Sequence, residues 1–95
     1  MYKTTAIGLY IIGNQNRIFN NVFLHSSRES IRIEGSGNVL MCNVVDSDVI
    51  LDGENNTVNA LSFSTDSAKL ILKGAAADST MLFGVDESRV VRLHC

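Results

Sequence analysis

Apolar residues recur along this chain in short alternating runs, and the runs themselves recur. "LYII" at 9–12, "IRIE" at 31–34, "VILD" at 49–52 and "LILK" at 70–73 each carry aliphatic side chains at the first and third positions, and a glycine follows each at once. Alternation with a constant aliphatic face marks a strand with one buried side. Between Gly13, Gly35, Gly53 and Gly74 the spacings are 22, 18 and 21 residues, and 21 more lead to Cys95. A period of about 20 belongs to the chain as a whole and takes precedence over any local assignment.

Setting the glycines in register aligns further columns. Four residues before the glycine stand Leu9, Ile31, Val49 and Leu70, then Val91; two before it stand Ile11, Ile33, Leu51 and Leu72, then Leu93. After it come Asn16, Asn38 and Asn56, then Ile18, Leu40 and Val58, then Asn20, Cys42 and Ala60. Asn21 and Asn43 share a column that Leu61 breaks, and Phe23, Val45 and Phe63 share another. Each repeat reads as three short strands with turns between them. The glycines supply a bend that a side chain would obstruct. Asparagine at a corner tolerates the left-handed backbone of a sharp turn. The remaining corner, "HSSRE", "DSD", "STDSA" or "VDESR", is polar and absorbs the differences in length.

Three strands per repeat cannot lie in one flat sheet, but wound as a coil each strand stacks on its counterpart in the next turn at about 4.8 Å. The expected fold is all-β: a parallel β-helix forming one domain over 1–95, with about four rungs at 8–29, 30–48, 49–68 and 69–89. Residues 75–95 are expected to cap the coil or to exchange with a partner. Aliphatic columns then merge into a core. The column Asn16, Asn38, Asn56 becomes an amide ladder, each amide donating to the next one's carbonyl. A small antiparallel sandwich also turns at short intervals, but it prefers Asn-Gly or Asp-Gly hairpins, and only Asp52-Gly53 fits. A leucine-rich repeat would need a helical half that is missing.

The 95 residues carry ten acids and eight bases, mixed along the chain, for a net charge of −2. No basic run points to nucleic acid, and no apolar run reaches the ~18 residues of a membrane helix. The start "MYKTTAIGLYIIG" has the outline of a signal peptide, but its apolar patch is short and no small-x-small site follows, so a first strand is expected there. Cys42 and Cys95 are too few and too isolated for a zinc site or disulfide framework. No cofactor is expected.

"GLYIIGNQNRIFNNVF" and "IRIEGSGNVLMCNVV" resemble rungs of right-handed, pectate-lyase-like parallel β-helices, which occur in polysaccharide-degrading enzymes and in bacteriophage tailspikes. The resemblance covers residues 6–74 and fades in "GAAADSTMLFGVDES", which lacks the asparagines. It implies a right-handed coil in a tailspike or fibre-like virion appendage. Such an appendage is structural or receptor-binding, sits on the virion or outside the cell, is trimeric, and presents an outer face to host surface polysaccharide. The alternative it implies is part of a secreted polysaccharide lyase or glycoside hydrolase.

The outward position before each glycine reads Ile12, Glu34, Asp52, Lys73 and His94. Glu34 and Asp52 fall on adjacent rungs, about 5 Å apart at the backbone, a separation near that of the carboxyl pair in retaining glycosidases. Arg32 and Lys73 are placed to hold a sugar or carboxylate. The simpler reading is a charge ladder facing water, with little energy per pair. Asp46, Asp48 and Asp52 match no calcium loop, and no metal site is expected. His25, Ser26 and Ser27 are neighbours on a turn rather than a triad, and Asp66, Asp86 and Glu87 read as solvated turn residues. Tyr10, Ile12, Phe19, Val39, Met41, Ile50 and Ile71 all fall on outward positions. Stacked along the rungs they would form patches, which points to a homo-oligomer.

Overall fold

The computed structural model describes residues 7–24 and 28–93. Its strands are β1 (Leu9–Ile12), β2 (Arg17–Phe19), β3 (Val22–Phe23), β4 (Ile31–Glu34), β5 (Val39–Met41), β6 (Val44–Val45), β7 (Val49–Asp52), β8 (Thr57–Asn59), β9 (Ser62–Phe63), β10 (Leu70–Lys73), β11 (Met81–Phe83) and β12 (Val90–Leu93). They form three parallel sheets, ordered β1-β4-β7-β10-β12, β2-β5-β8-β11 and β3-β6-β9. Every strand neighbour is thus the same strand of the next turn, which defines a parallel β-helix of about four turns. The expected all-β coil is the observed one. The apolar patch Leu9–Ile12 at the start of the chain is its first strand. No described helix is long and apolar enough to cross a membrane.

Alternation decides which residues enter the core. In the first sheet Ile31, Val49 and Leu70 stack in one column, Ile33, Leu51 and Leu72 in another, and all six are fully buried. Leu40 and Val58 from the second sheet and Val45 from the third close the triangle, again with no exposure. Each column buries like against like, so every added rung removes the upper face of the rung below from water.

The glycine column has a steric cause. A Cβ on Gly35 would lie 1.8 Å from the Gly13 carbonyl oxygen, and one on Gly53 would lie 2.0 Å from that of Gly35. The carbonyl of one rung occupies the space where the next rung's side chain would begin. The left-handed corners include two asparagines, Asn20 and Asn55, as expected of that residue, but not the ladder column. Asn16, Asn38 and Asn56 are not the residues with positive φ; the preceding column is, at Gln15 (58°), Gly37 (70°) and Asn55 (59°). Another such column is Asn20, Cys42, Ala60 and Gly84, all between 57° and 61°. Alanine and cysteine gain nothing there to offset the left-handed cost of about 1–2 kcal/mol. Ala60→Gly is therefore expected to stabilise the fold by about 0.5 kcal/mol after the entropy lost with glycine, a rise of roughly 3 °C in Tm by thermal melting.

The asparagine ladder is real, but most of its links run from amide to backbone. The Asn38 Oδ1 accepts from the Asn16 N–H at 2.8 Å, and the Asn56 Oδ1 accepts from the Asn38 N–H at 2.9 Å. The Asn38 Nδ2 donates to the Gly13 carbonyl at 3.1 Å, and the Asn56 Nδ2 to the Gly35 carbonyl at 3.0 Å. One amide–amide link, Asn38 Nδ2 to Asn56 Oδ1 at 3.1 Å, has the expected form. Asn43 repeats the device one corner on, accepting from the Asn21 N–H and donating to the Ile18 carbonyl. In the next rung Leu61 takes that column into the apolar core instead.

The C-terminal part departs from the repeat. After Gly74 (φ 58°) a short helix, α1 (Ala76–Ser79), replaces the asparagine corner and buries Ala76 and Ala77. The third sheet stops at β9. Beyond it Asp86 caps a 3-10 turn, Glu87–Arg89, by accepting from the Ser88 N–H and hydroxyl. Arg89 then reaches back over that sheet. Its guanidinium lies 4.6 Å from the Phe63 ring centroid and donates to the carbonyls of Ala68 and Thr65. The final strand pairs Leu70 with Val90 and Lys73 with Leu93, one residue earlier than the column alignment through Cys95. Val90 packs against the core in place of Val91. No glycine anchors this turn; the length of the loop bearing Arg89 sets its register.

Candidate functional site

The first sheet presents two outward columns. Tyr10, Arg32, Ile50 and Ile71 form one; Ile12, Glu34, Asp52, Lys73 and Leu93 form the other. Glu34 and Asp52 are register partners on adjacent rungs, as their spacing predicts. The Glu34 carboxylate, however, is engaged by residues of its own and the preceding rung. Its Oε2 accepts from the Tyr10 hydroxyl at 2.5 Å and from the Arg32 Nε at 3.1 Å. The Arg32 guanidinium also lies 5.7 Å from the Tyr10 ring centroid. The three side chains form one polar knot on the outer face. Arg32 is thereby occupied by a carboxylate of this chain rather than held open for a ligand.

This knot fixes protonation. The hydrogen bond from Tyr10, and then that from Arg32, hold the Glu34 carboxyl below its ordinary value. The same bond to Glu34, helped by desolvation, raises the Tyr10 phenol. A carboxyl with a depressed pKa favours the anion and is poorly suited to act as a general acid near neutrality. Because the folded value lies below the ordinary 4.5, the stabilisation is present above about pH 4.5 and is lost as pH falls through the folded value. Glu34→Gln is therefore expected to be less stable than the parent at pH 7. In urea melts from pH 7 to pH 2 the gap should narrow below about pH 4.5. A constant gap would mean that the knot contributes through shape alone.

Asp52 is exposed, and Lys73 stands beyond it in the same column. The other acids have separate tasks. Asp46 accepts from the Ser30 hydroxyl, and Asp48 from the Lys69 N–H. Among the described residues no three histidine, cysteine or acidic side chains converge as metal ligands. Cys42 is free and exposed. His25, Ser26, Ser27, His94, Cys95 and the first six residues lie outside the described residues.

Of the outward apolar residues, Ile12, Tyr10 and Phe19 are exposed, but Ile50 is only 8% exposed. It stacks between Arg32 and Ile71 in the middle of the sheet. The second sheet carries a longer strip: Phe19, Met41, Asn59 and Phe83 in one column, Arg17, Val39, Thr57 and Met81 in the other. Met81 and Phe83 are exposed along with Phe19.

The corner joining these two sheets holds a polar depression of about 400 Å³, open to solvent and lined by Asn14, Gln15, Ser36, Gly37 and Asn55. Its floor is stacked corner backbone. The Ser36 N–H donates to the Asn14 Oδ1 at 2.8 Å, and the Ser36 hydroxyl accepts from the Glu54 N–H at 3.3 Å. The Gln15 and Asn55 carboxamides make no hydrogen bond among the described residues. They flank Gly37 in one left-handed column, with an amide on each side of a missing side chain. Neither this depression nor the Tyr10 contact to Glu34 was among the sequence candidates. Gln15, Gly37 and Asn55 do share one column two residues past the glycine, and that alignment was the available signal.

Compared with protein-family models, curated proteins and solved structures, the chain matches none.

Proposed function

We propose that this chain is a rigid structural or receptor-binding segment of a tailspike-like or fibre-like virion appendage, and that its outer face meets a host surface polysaccharide. The observation that carries the reading is the coil itself. Its apolar columns and buried asparagine ladders lock each rung to the next and leave a side-chain-rich exterior free for binding. Such a rod resists proteolysis and keeps its surface residues in fixed register. Its place is the virion or the extracellular space. The partner copies form a trimer packed through the apolar strip of the second sheet, where Phe19, Met81 and Phe83 are exposed.

The test is incubation of the purified protein with bacterial surface polysaccharides, with bound glycan and released ends followed together. The expected result is retention without cleavage, and a trimer by analytical ultracentrifugation that Phe83→Glu dissociates. Release of reducing or unsaturated ends, abolished by Glu34→Gln or Asp52→Asn, would overturn the reading in favour of a carbohydrate-active enzyme. A stable monomer would overturn the trimer.

A further inference from the structure

We infer that the corner notch between Gln15 and Asn55 is a binding site for a neutral hexopyranose unit of a glycan chain. The inference rests on the polysaccharide-binding reading above and assigns it a place and a ligand charge. Three observations carry it. The first is shape: Gly37 lies between Gln15 and Asn55 and contributes no side chain, and the Gln15 stem, 3.4 Å from where a Gly37 Cβ would be, walls one side of the depression of about 400 Å³. That volume has room for one sugar ring beside the Gln15 and Asn55 amides, with the Ser36 corner as floor.

The second observation is chemistry. A carboxamide offers a donor and an acceptor on one planar group, which suits the vicinal hydroxyls of a sugar. The two amides that flank the gap have no hydrogen-bond partner among the described residues. No charged side chain lines the depression. Glu34, Asp52 and Glu54 stand next to the corner glycines, so the surroundings are acidic and disfavour a polyuronate.

The third observation is backbone cost. Gln15 holds φ at 58° in a column where the next rung uses glycine. A left-handed glutamine is disfavoured where glycine is not, and unlike Cys42 and Ala60, which hold the same backbone state, Gln15 lines the depression. Glycine at position 15 would relieve the strain and remove the amide. Stability and binding at that residue thus run in opposite directions, as at other sites kept for function.

The test is an NMR titration of the isotope-labelled protein with dextran, maltohexaose and yeast mannan, with polygalacturonate as the charged control. The side-chain amide signals of Gln15 and Asn55 should shift with at least one neutral glycan and not with polygalacturonate. Gln15→Gly should melt higher than the parent and bind at least tenfold more weakly. Gly37→Asn, which tolerates the left-handed backbone, should fill the gap, keep the circular dichroism spectrum and bind at least tenfold more weakly. Unchanged affinity in both variants, or shifts confined to Tyr10 and Arg32, would overturn the notch while leaving polysaccharide binding in place. Preference for polygalacturonate would overturn the neutral-glycan assignment. Failure to bind any of these or any bacterial surface polysaccharide would overturn both readings.

Discussion

Gly53→Ala is expected to cost about 4 kcal/mol and to lower Tm by roughly 15–30 °C. The new Cβ would lie 2.0 Å from the Gly35 carbonyl oxygen, 2.6 Å from its carbon and 3.1 Å from the Gly35 nitrogen. All three are backbone atoms, and they belong to the rung whose hydrogen bonds hold β7 against β4. Separating the rungs far enough to admit the methyl would break the stacking of Ile33 on Leu51. The backbone adds a second cost, because Gly53 sits at φ 143°, which an alanine rarely adopts. A chain of 95 residues has about 5–14 kcal/mol of total stability, so the variant loses a large share of it. Gly13→Ala is the control. Gly13 has no positive φ, and its nearest neighbour would be the Asn16 amide at 3.1 Å, a side chain that can shift. It should cost less than about 1 kcal/mol. Equal urea midpoints for the two variants would refute the carbonyl-into-glycine packing.

Asn38→Ala is expected to cost about 3 kcal/mol, measured by urea denaturation. Asn38 is fully buried, and its side chain serves three partners: the Asn16 N–H, the Gly13 carbonyl and the Asn56 amide oxygen. Alanine leaves a backbone donor and a backbone acceptor without partners, each worth about 1–3 kcal/mol when desolvated. Asn38→Asp is more informative, because it preserves shape. It keeps an acceptor for Asn16 but turns a second oxygen toward the Gly13 carbonyl and the Asn56 Oδ1, where a donor stood. The carboxyl can satisfy those oxygens only when protonated, so this variant should gain stability as the pH falls, opposite to the parent's loss at Glu34. Were Asn38→Asp as stable as the parent at pH 7, the buried column would have to be wetter than its burial implies.

The coil was legible in the sequence because its core obeys one simple rule. Ile31, Val49 and Leu70 fall in one column because each must cover the one before, and the glycines between strands keep that column in phase. Where a rule of that kind was lacking, inference slipped. The strand at Val90–Leu93 has no glycine to anchor it, and its register follows instead from a loop pinned by Arg89. Asparagine marked the left-handed corners only at Asn20 and Asn55. Gln15, Gly37 and Asn55 share a dihedral angle but not one residue type, whereas Asn38 and Asn56 beside them are kept for burial. The charged face was legible only as positions. That Glu34 belongs with Tyr10, 24 residues away, follows from diagonal contact across two strands.

Arg89 gives the coil a direction. Its guanidinium consumes the Thr65 and Ala68 carbonyls and covers Phe63, so the third sheet ends there. At the opposite end β1, β2 and β3 are edge strands of their sheets, and Leu9, Ile11 and Phe23 are only partly covered. Among the described residues, then, the third sheet is closed at one end by a side chain and open at the other. Duplicating residues 31–48 in tandem should lengthen the coil by a turn, since each rung meets only copies of its own pattern. An extra turn inserted between β9 and Arg89 would strand the cation and leave its two carbonyls bare.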